Sequence, residues 1–198
     1  MRNKEDIIDT REKYKQWMYQ DRVSCGYSAQ RSVAELLTEM IAPNYILAFL
    51  RQLRRVEYLT NCNAVFCRGI RLLFNRLKLR RIQLNLGFTI PINVFGPGLS
   101  IAHYGTIVVS KYASVGSNCR LNVGTSIGAS GEKERAPQIG DNVYIGPGAI
   151  LYGYITIADG IHVGANSTVN KSFLNANSVI AGSPAKEVRE WAPSWNSK

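Results

Sequence analysis

Aliphatic residues fall six apart at Ile139, Ile145, Leu151, Ile157, Val163 and Val169, a period that no α-helix has. Counted backwards, Val109, Val115, Leu121 and Ile127 keep the same register, and only Lys133 fills a slot where an aliphatic residue is expected. The charged run GEKERA around Lys133 therefore reads as a loop. The phase changes earlier: Phe95 and Ile101 are six apart, but Ile101 and Val109 are eight apart. Within each unit the next position is often glycine (Gly116, Gly128, Gly140, Gly146, Gly164), and the fifth is small or β-branched (Ala113, Cys119, Thr125, Val143, Ala149, Ile155, Ser167). Such a unit is a short strand plus a corner. It cannot bury its own apolar side chain, whereas stacked coils place each aliphatic residue over its equivalent and build a continuous ladder. The repeat predicts a parallel β-helix.

The first half of the chain follows another rule. Residues 5–20 and 28–60 carry apolar residues at helical spacing (Val33, Leu36, Leu37 and Met40, then Ile46, Phe49, Leu50 and Leu53), with Pro43 as a break. A further stretch keeps Phe66, Ile70, Leu73 and Leu77 on one stripe, with Arg68, Arg71, Arg76, Lys78, Arg80 and Arg81 nearby. It ends at Gly87. Charge divides the same way: residues 1–87 hold sixteen Lys+Arg against eight Asp+Glu, net +8, and residues 88–198 hold eight against six, net +2. The basic helix reads either as a packed helix with a solvated basic face or as a surface that meets anionic lipid at the inner membrane face. No nucleic-acid-binding module accompanies the charge, so no nucleic-acid partner is expected. The N-terminus lacks the apolar segment of a secretory signal, and no run approaches the roughly 20 apolar residues that span a bilayer, so a cytoplasmic location is expected. Cys25, Cys62, Cys67 and Cys119 show no disulfide or zinc spacing and read as packing residues; no metal is expected.

The segment IGDNVYIGPGAILYGYITIADGIHVGANSTV, followed by AGSPAK, resembles the hexapeptide-repeat acyltransferases. That resemblance implies a left-handed parallel β-helix over residues 88–188, preceded by an α-helical region at 1–87 and followed by a tail at 189–198. It further implies a homotrimer, with acetyl-CoA as acyl donor in the groove between neighbouring helices. Within the family, GPGLSIAHYGTIVV, VGTSIGASGEKERAPQIGDNVYIG and GSPAK are most similar to serine acetyltransferases and their relatives in capsular and exopolysaccharide clusters.

In serine acetyltransferases the stretch matching GLSIAHYG carries the catalytic base, and His103 occupies its place. The chemistry suits an imidazole: an acceptor hydroxyl attacks a thioester poorly until a base takes its proton, and a group with an ordinary pKa of about 6.5 does so near neutral pH. The plainer reading of His103 is a corner residue with a satisfied hydrogen bond. The same alignment places Gly128 and Ala129 along the pantetheine arm, Gly148 and Ala165 on coils flanking the groove, and Lys186 and Arg189 toward the CoA phosphates. The glycines and alanines also suit plain corners, and the two cations suit a solvated tail. Tyr104, Asn122 and Arg135 are candidate acceptor contacts. Asn93, Asn122, Glu132 or Glu134 are candidates to orient His103. His162 is expected to face outward without a catalytic role, and Trp191 and Trp195 to pack the tail.

The departures from the serine acetyltransferase pattern bear on the acceptor. Ala102 stands where that pattern has Asp, Phe88 where it has the aspartate that orients the base, and Ala136 where it has a second histidine. These absences favour a hydroxyl of a surface polysaccharide or its lipid-linked precursor as acceptor. Serine O-acetylation in cysteine biosynthesis is the alternative, and a non-catalytic β-helix scaffold the second.

Overall fold

The computed structural model describes residues 7–28, 32, 35, 37, 38, 41–62, 68–131 and 135–190. Helix α1 (Arg11–Ser24) starts where Thr10 accepts the Lys13 amide at 3.2 Å, so it begins later than the periodicity predicts and runs on past residue 20. Helix α2 (Tyr45–Asn61) is capped by Asn44, whose Oδ1 accepts from the Leu47 amide at 2.9 Å immediately after Pro43. Helix α3 (Arg68–Leu86) leads directly into the strands. Leu37 is exposed; Val33, Leu36, Met40, Phe66 and Cys67 lie outside the described residues.

The strands are β1 (Phe88–Thr89), β2 (Ser100–Ile101), β3 (Ile107–Val109), β4 (Ser114–Val115), β5 (Arg120–Leu121), β6 (Ser126–Gly128) and β7 (Gln138–Ile139). There follow β8 (Tyr144–Ile145), β9 (Ile150–Tyr152), β10 (Thr156–Ile157), β11 (His162–Val163), β12 (Thr168–Val169), β13 (Ser178–Gly182) and β14 (Ala185–Glu190). They wind into three parallel faces: β1-β3-β6-β9-β12, then β4-β7-β10, then β2-β5-β8-β11-β13. Ladder residues stack in register: Val109 on Ile127 on Leu151 on Val169, Val115 on Ile139 on Ile157, and Ile101 on Leu121 on Ile145 on Val163. All of these are buried, as is every fifth-position residue from Ala113 to Ser167 named above. Val115 pairs directly with Ile139, so the ladder is back in register at β7; Lys133, where a loop is expected, lies outside the described residues.

After ladder residues of the second and third faces the third residue on turns the corner with positive φ: Asn118, Gly124, Asn142, Gly148, Gly160 and Asn166 all do so. Only glycine, or asparagine through its local polar side chain, enters that region at little cost. The period therefore sets both the core and the corners.

One end of the ladder is covered by helices. Phe49 meets Phe88 edge-on at 5.1 Å, and Leu50, Leu53 and Val56 join Ile90, Val94 and Phe95 in one core. Arg54, fully buried, pins this contact. It donates to Asp21 of α1 (Nε to Oδ2, 2.7 Å), to Glu57 (2.9 Å) and to the carbonyls of Phe95 (3.0 Å) and Gly96 (2.6 Å). Burial alone lowers the proton affinity of the guanidinium, but the carboxylates of Asp21 and Glu57 outweigh it and hold the group charged. At the other end β14 folds back antiparallel on β13, so the expected limit at residue 188 falls inside a strand. Trp191 and Trp195 lie outside the described residues.

Helix α3 turns its apolar stripe outward. Leu79 and Leu86 are the side chains it buries, whereas Ile70, Leu73 and Leu77 face solvent.

Truncation of Arg54 strands two buried carboxylates, so Arg54→Ala is expected to cost about 3–5 kcal/mol of stability. Urea denaturation followed by circular dichroism measures it, and a change below about 1 kcal/mol contradicts the pinning role.

Candidate functional site

The coil turns at three edges. The edge from the third face to the first consists of residues 102–106, 122–125, 146–149 and 164–167, and across the first of these corners the ladder residues Ile101 and Val109 stand two residues further apart than across the rest. Ladder bonding continues as far as Ala102, whose amide donates to Leu121 at 3.0 Å, and resumes at Ile107. Between them His103 and Tyr104 project into solvent, Tyr104 with 69% of its surface exposed. Gly105 brings the chain back with φ +134°, its amide donating to the Leu86 carbonyl at 3.0 Å; a Cβ there would lie 2.6 Å from Val123 Cγ2. The excess in the repeat is thus a short excursion with His103 near its tip.

The same edge carries Asn122, Gly148 and Ala165 on successive coils. Asn122 is buried and serves the stack: its Nδ2 donates to the Ile145 carbonyl at 2.9 Å, and its own carbonyl accepts from Thr125 Oγ1 at 2.7 Å. That employment argues against its predicted acceptor role. Gly148 turns the corner at φ +70° against Asn166, and Ala165 is exposed. Asn93 is engaged at the helix junction: its side chain pairs with Asn61 at 2.9 Å and its backbone amide donates to Glu57 Oε1 at 2.7 Å. Glu132 and Glu134 lie outside the described residues.

A second edge, from the first face to the second, carries Gly128 at the end of β6, then exposed Ala129 and Arg135. A Cβ on Gly128 would meet only Tyr152, at 4.0 Å, so the surface over it is open. Lys186 is exposed on β14 opposite Ala181; the side chain of Arg189 is outside the described set. One protomer therefore gathers His103, Tyr104, Gly148 and Ala165 on one edge and puts Gly128, Ala129 and Arg135 on another.

The three departures have structural counterparts. Phe88 and Ala136 are both buried, Phe88 against Phe49, and Ala102 is half-buried. At these positions the chain offers no side-chain polar group, and two of the three are closed off from solvent.

His162 stacks on Tyr144, with ring centroids 5.3 Å apart and planes 17° apart, and is half-buried rather than fully outward. Burial lowers its pKa. Burial also pushes the Cys119 thiol up to about 12 and raises Cys25, which fits packing roles for both. Among the described residues no group of three or more His, Cys, Asp and Glu is placed to hold a metal ion.

Gly105 and Val123 shape the excursion without a polar or titratable side chain to mark them. The signal was the glycine two places after His103 inside an eight-residue interval.

Two outcomes follow. Gly105→Ala is expected to destabilise by about 1–3 kcal/mol through strained φ and the Val123 contact. Thermal melts of Gly105→Ala with and without Val123→Ala check it, and the double variant should be the more stable. For His162, a pKa lower in the folded than in the unfolded chain means that the unfolded state takes up more protons, so folding weakens as pH falls below about 6.5. His162→Gln should flatten urea midpoints between about pH 5 and 6.5.

Comparison with known proteins gives these sites a context. Residues 136–171 match the family model of the bacterial transferase hexapeptide (six repeats). Over 97 residues the chain is 34% identical to a serine acetyltransferase of Staphylococcus aureus (strain N315), covering 48% of this chain and 45% of that protein. A serine acetyltransferase of Staphylococcus xylosus is 35% identical over 97 residues, covering 48% and 44%. The matched region thus spans somewhat under half of those relatives. Among solved structures, the serine acetyltransferase from Brucella abortus strain S19 superposes with a TM-score of 0.69 at 22% identity, covering 92% of this chain and 71% of that one. A serine acetyltransferase in complex with CoA superposes at 0.65 and 22% identity, covering 90% and 71%. The chain has their fold: a left-handed parallel β-helix of hexapeptide repeats behind a helical region.

Proposed function

We propose that this chain, which resembles the hexapeptide-repeat acyltransferases of the serine acetyltransferase type, is an acetyl-CoA-dependent O-acetyltransferase with His103 as general base. The observation that carries the reading is the solvent-facing His103 at the lengthened corner of its edge, above Gly148 and Ala165 on the same edge.

In this reading the imidazole takes the proton of the acceptor hydroxyl as its oxygen attacks the thioester carbonyl. The tetrahedral intermediate then expels the CoA thiolate, which takes up a proton. Gly148 and Ala165 line one wall of the CoA groove. Gly128 and Ala129 line the other, with Arg135 and Lys186 as charge partners for acceptor or phosphate. Because one protomer carries these sets on separate edges, the reading calls for a second copy to bring the edges face to face, as a homotrimer would. Tyr104, beside the base, shapes the acceptor end.

The relatives favour L-serine as acceptor. A sugar hydroxyl is a second reading, favoured by Phe88, Ala102 and Ala136: three positions that carry polar groups in the serine acetyltransferase pattern have apolar side chains here, two of them buried.

The test is thiol release from acetyl-CoA with L-serine, and in parallel with nucleotide sugars and oligosaccharides. Turnover with serine supports the first reading, and turnover only with sugars the second. In whichever reaction runs, His103→Ala is expected to lower kcat by about 10²–10⁴-fold with the fold intact. Unchanged kcat removes His103 as the base, and no binding of acetyl-CoA by calorimetry removes the enzyme.

A further inference from the structure

Helix α3 carries its apolar stripe on the wrong side for a packing helix. Ile70 (64%), Leu73 (58%), Phe74 (65%), Leu77 (57%) and Leu84 (71%) are exposed. They follow the i, i+3, i+4, i+7 spacing of a single face. The opposite face, with Leu79 and Leu86, is the one buried in the core cluster. The helix is therefore amphipathic twice over: one apolar face is spent on the fold and the other meets solvent.

What borders the outward face identifies its partner. At 3.6 residues per turn, Arg76 and Arg80 lie along one flank of the stripe, Arg71 and Lys78 along the other, and Arg81 between Leu77 and Leu84. All five are exposed, and residues 68–86 contain no Asp or Glu. A second copy of α3 laid on this face would set cations against cations. A surface with apolar depth beneath a layer of negative charge satisfies both parts at once: the stripe enters the acyl boundary while the arginines and lysine reach phosphates, their aliphatic stems lying along the apolar surface. No described helix is long and apolar enough to cross a membrane, so the helix would lie in the interface plane.

We infer that α3 is a membrane-surface helix that docks the protein on anionic lipid through Ile70, Leu73, Phe74, Leu77 and Leu84, with the flanking cations on lipid phosphates. This inference stands independently of the acetyl-transfer reading. The docked orientation has a structural corollary, because the C-terminus of α3 is bonded to the His103 corner: the Gly105 amide donates to Leu86 at 3.0 Å and the Ile107 amide to Gly87 at 3.2 Å. A lipid-docked α3 holds that corner at the end of the helix, beside the membrane surface.

The experiment is co-sedimentation of the full chain with vesicles of phosphatidylcholine alone and of phosphatidylcholine with phosphatidylglycerol. It is run at about 0.1 M and about 1 M salt, where the Debye length is roughly 10 and 3 Å. Binding is expected to the anionic vesicles at the lower salt and to fall sharply at the higher. The variant Leu73→Ser/Phe74→Ser/Leu77→Ser keeps every charge and changes only exposed side chains, so its melting temperature should match the parent; its partition should fall at least about 10-fold. Absence of binding to anionic vesicles at the lower salt overturns the proposal, as does a triple variant that binds undiminished. A triple variant whose mass by light scattering drops below that of the parent assigns the stripe to self-association and overturns it equally.

Discussion

The buried guanidinium of Arg54 holds the two halves of this protein together. A β-helix has open ends, and its first coil presents unpaired backbone and apolar ladder residues that need a cap. Helix α2 supplies the apolar cover through Phe49, Leu50, Leu53 and Val56, but hydrophobic contact alone does not fix direction. Arg54 does so by taking the Phe95 and Gly96 carbonyls of the first coil while paired to Asp21 and Glu57. Asp21 in turn accepts the Leu99 amide at 2.9 Å, so α1 is fastened to the same coil. Every later coil stacks on one whose position these charge-assisted bonds define.

The coils were legible because the period of six is geometric. An inward residue must recur once per face, and Lys133 stood out because its neighbours obeyed the rule. The positive-φ corners after the second and third faces obey it too, with Asn or Gly three places after ladder residues, so at these corners the backbone pattern was as available as the core pattern. The helices were less legible. Arg54 and Arg55 are adjacent and alike in sequence, yet one is fully buried and the other exposed; only the tertiary arrangement of Asp21 and Glu57 separates them. In α3 the periodic stripe was visible but not its direction, because a weaker set of leucines on the opposite side met the core.

The candidate site divides along similar lines. His103 was marked by the eight-residue interval, which the structure turns into an exposed excursion. Asn122 and Asn93 looked available as polar neighbours but are employed within the stack and at the helix junction, respectively, uses that depend on contacts distant in sequence. The distribution of the remaining candidates over two edges was beyond one sequence, since it depends on how a linear repeat wraps around three faces.

The junction between Gly87 and Gly105 carries a mechanical implication. A Cβ at Gly87 would sit 3.2 Å from the Gly105 carbonyl carbon, so the helix terminus and the corner meet as bare main chain. Side chains that separate two elements act as springs that absorb small displacements by changing rotamer. With none interposed, the position of the corner relative to the helix end is set by main-chain contact and the Gly105–Leu86 hydrogen bond rather than by side-chain packing.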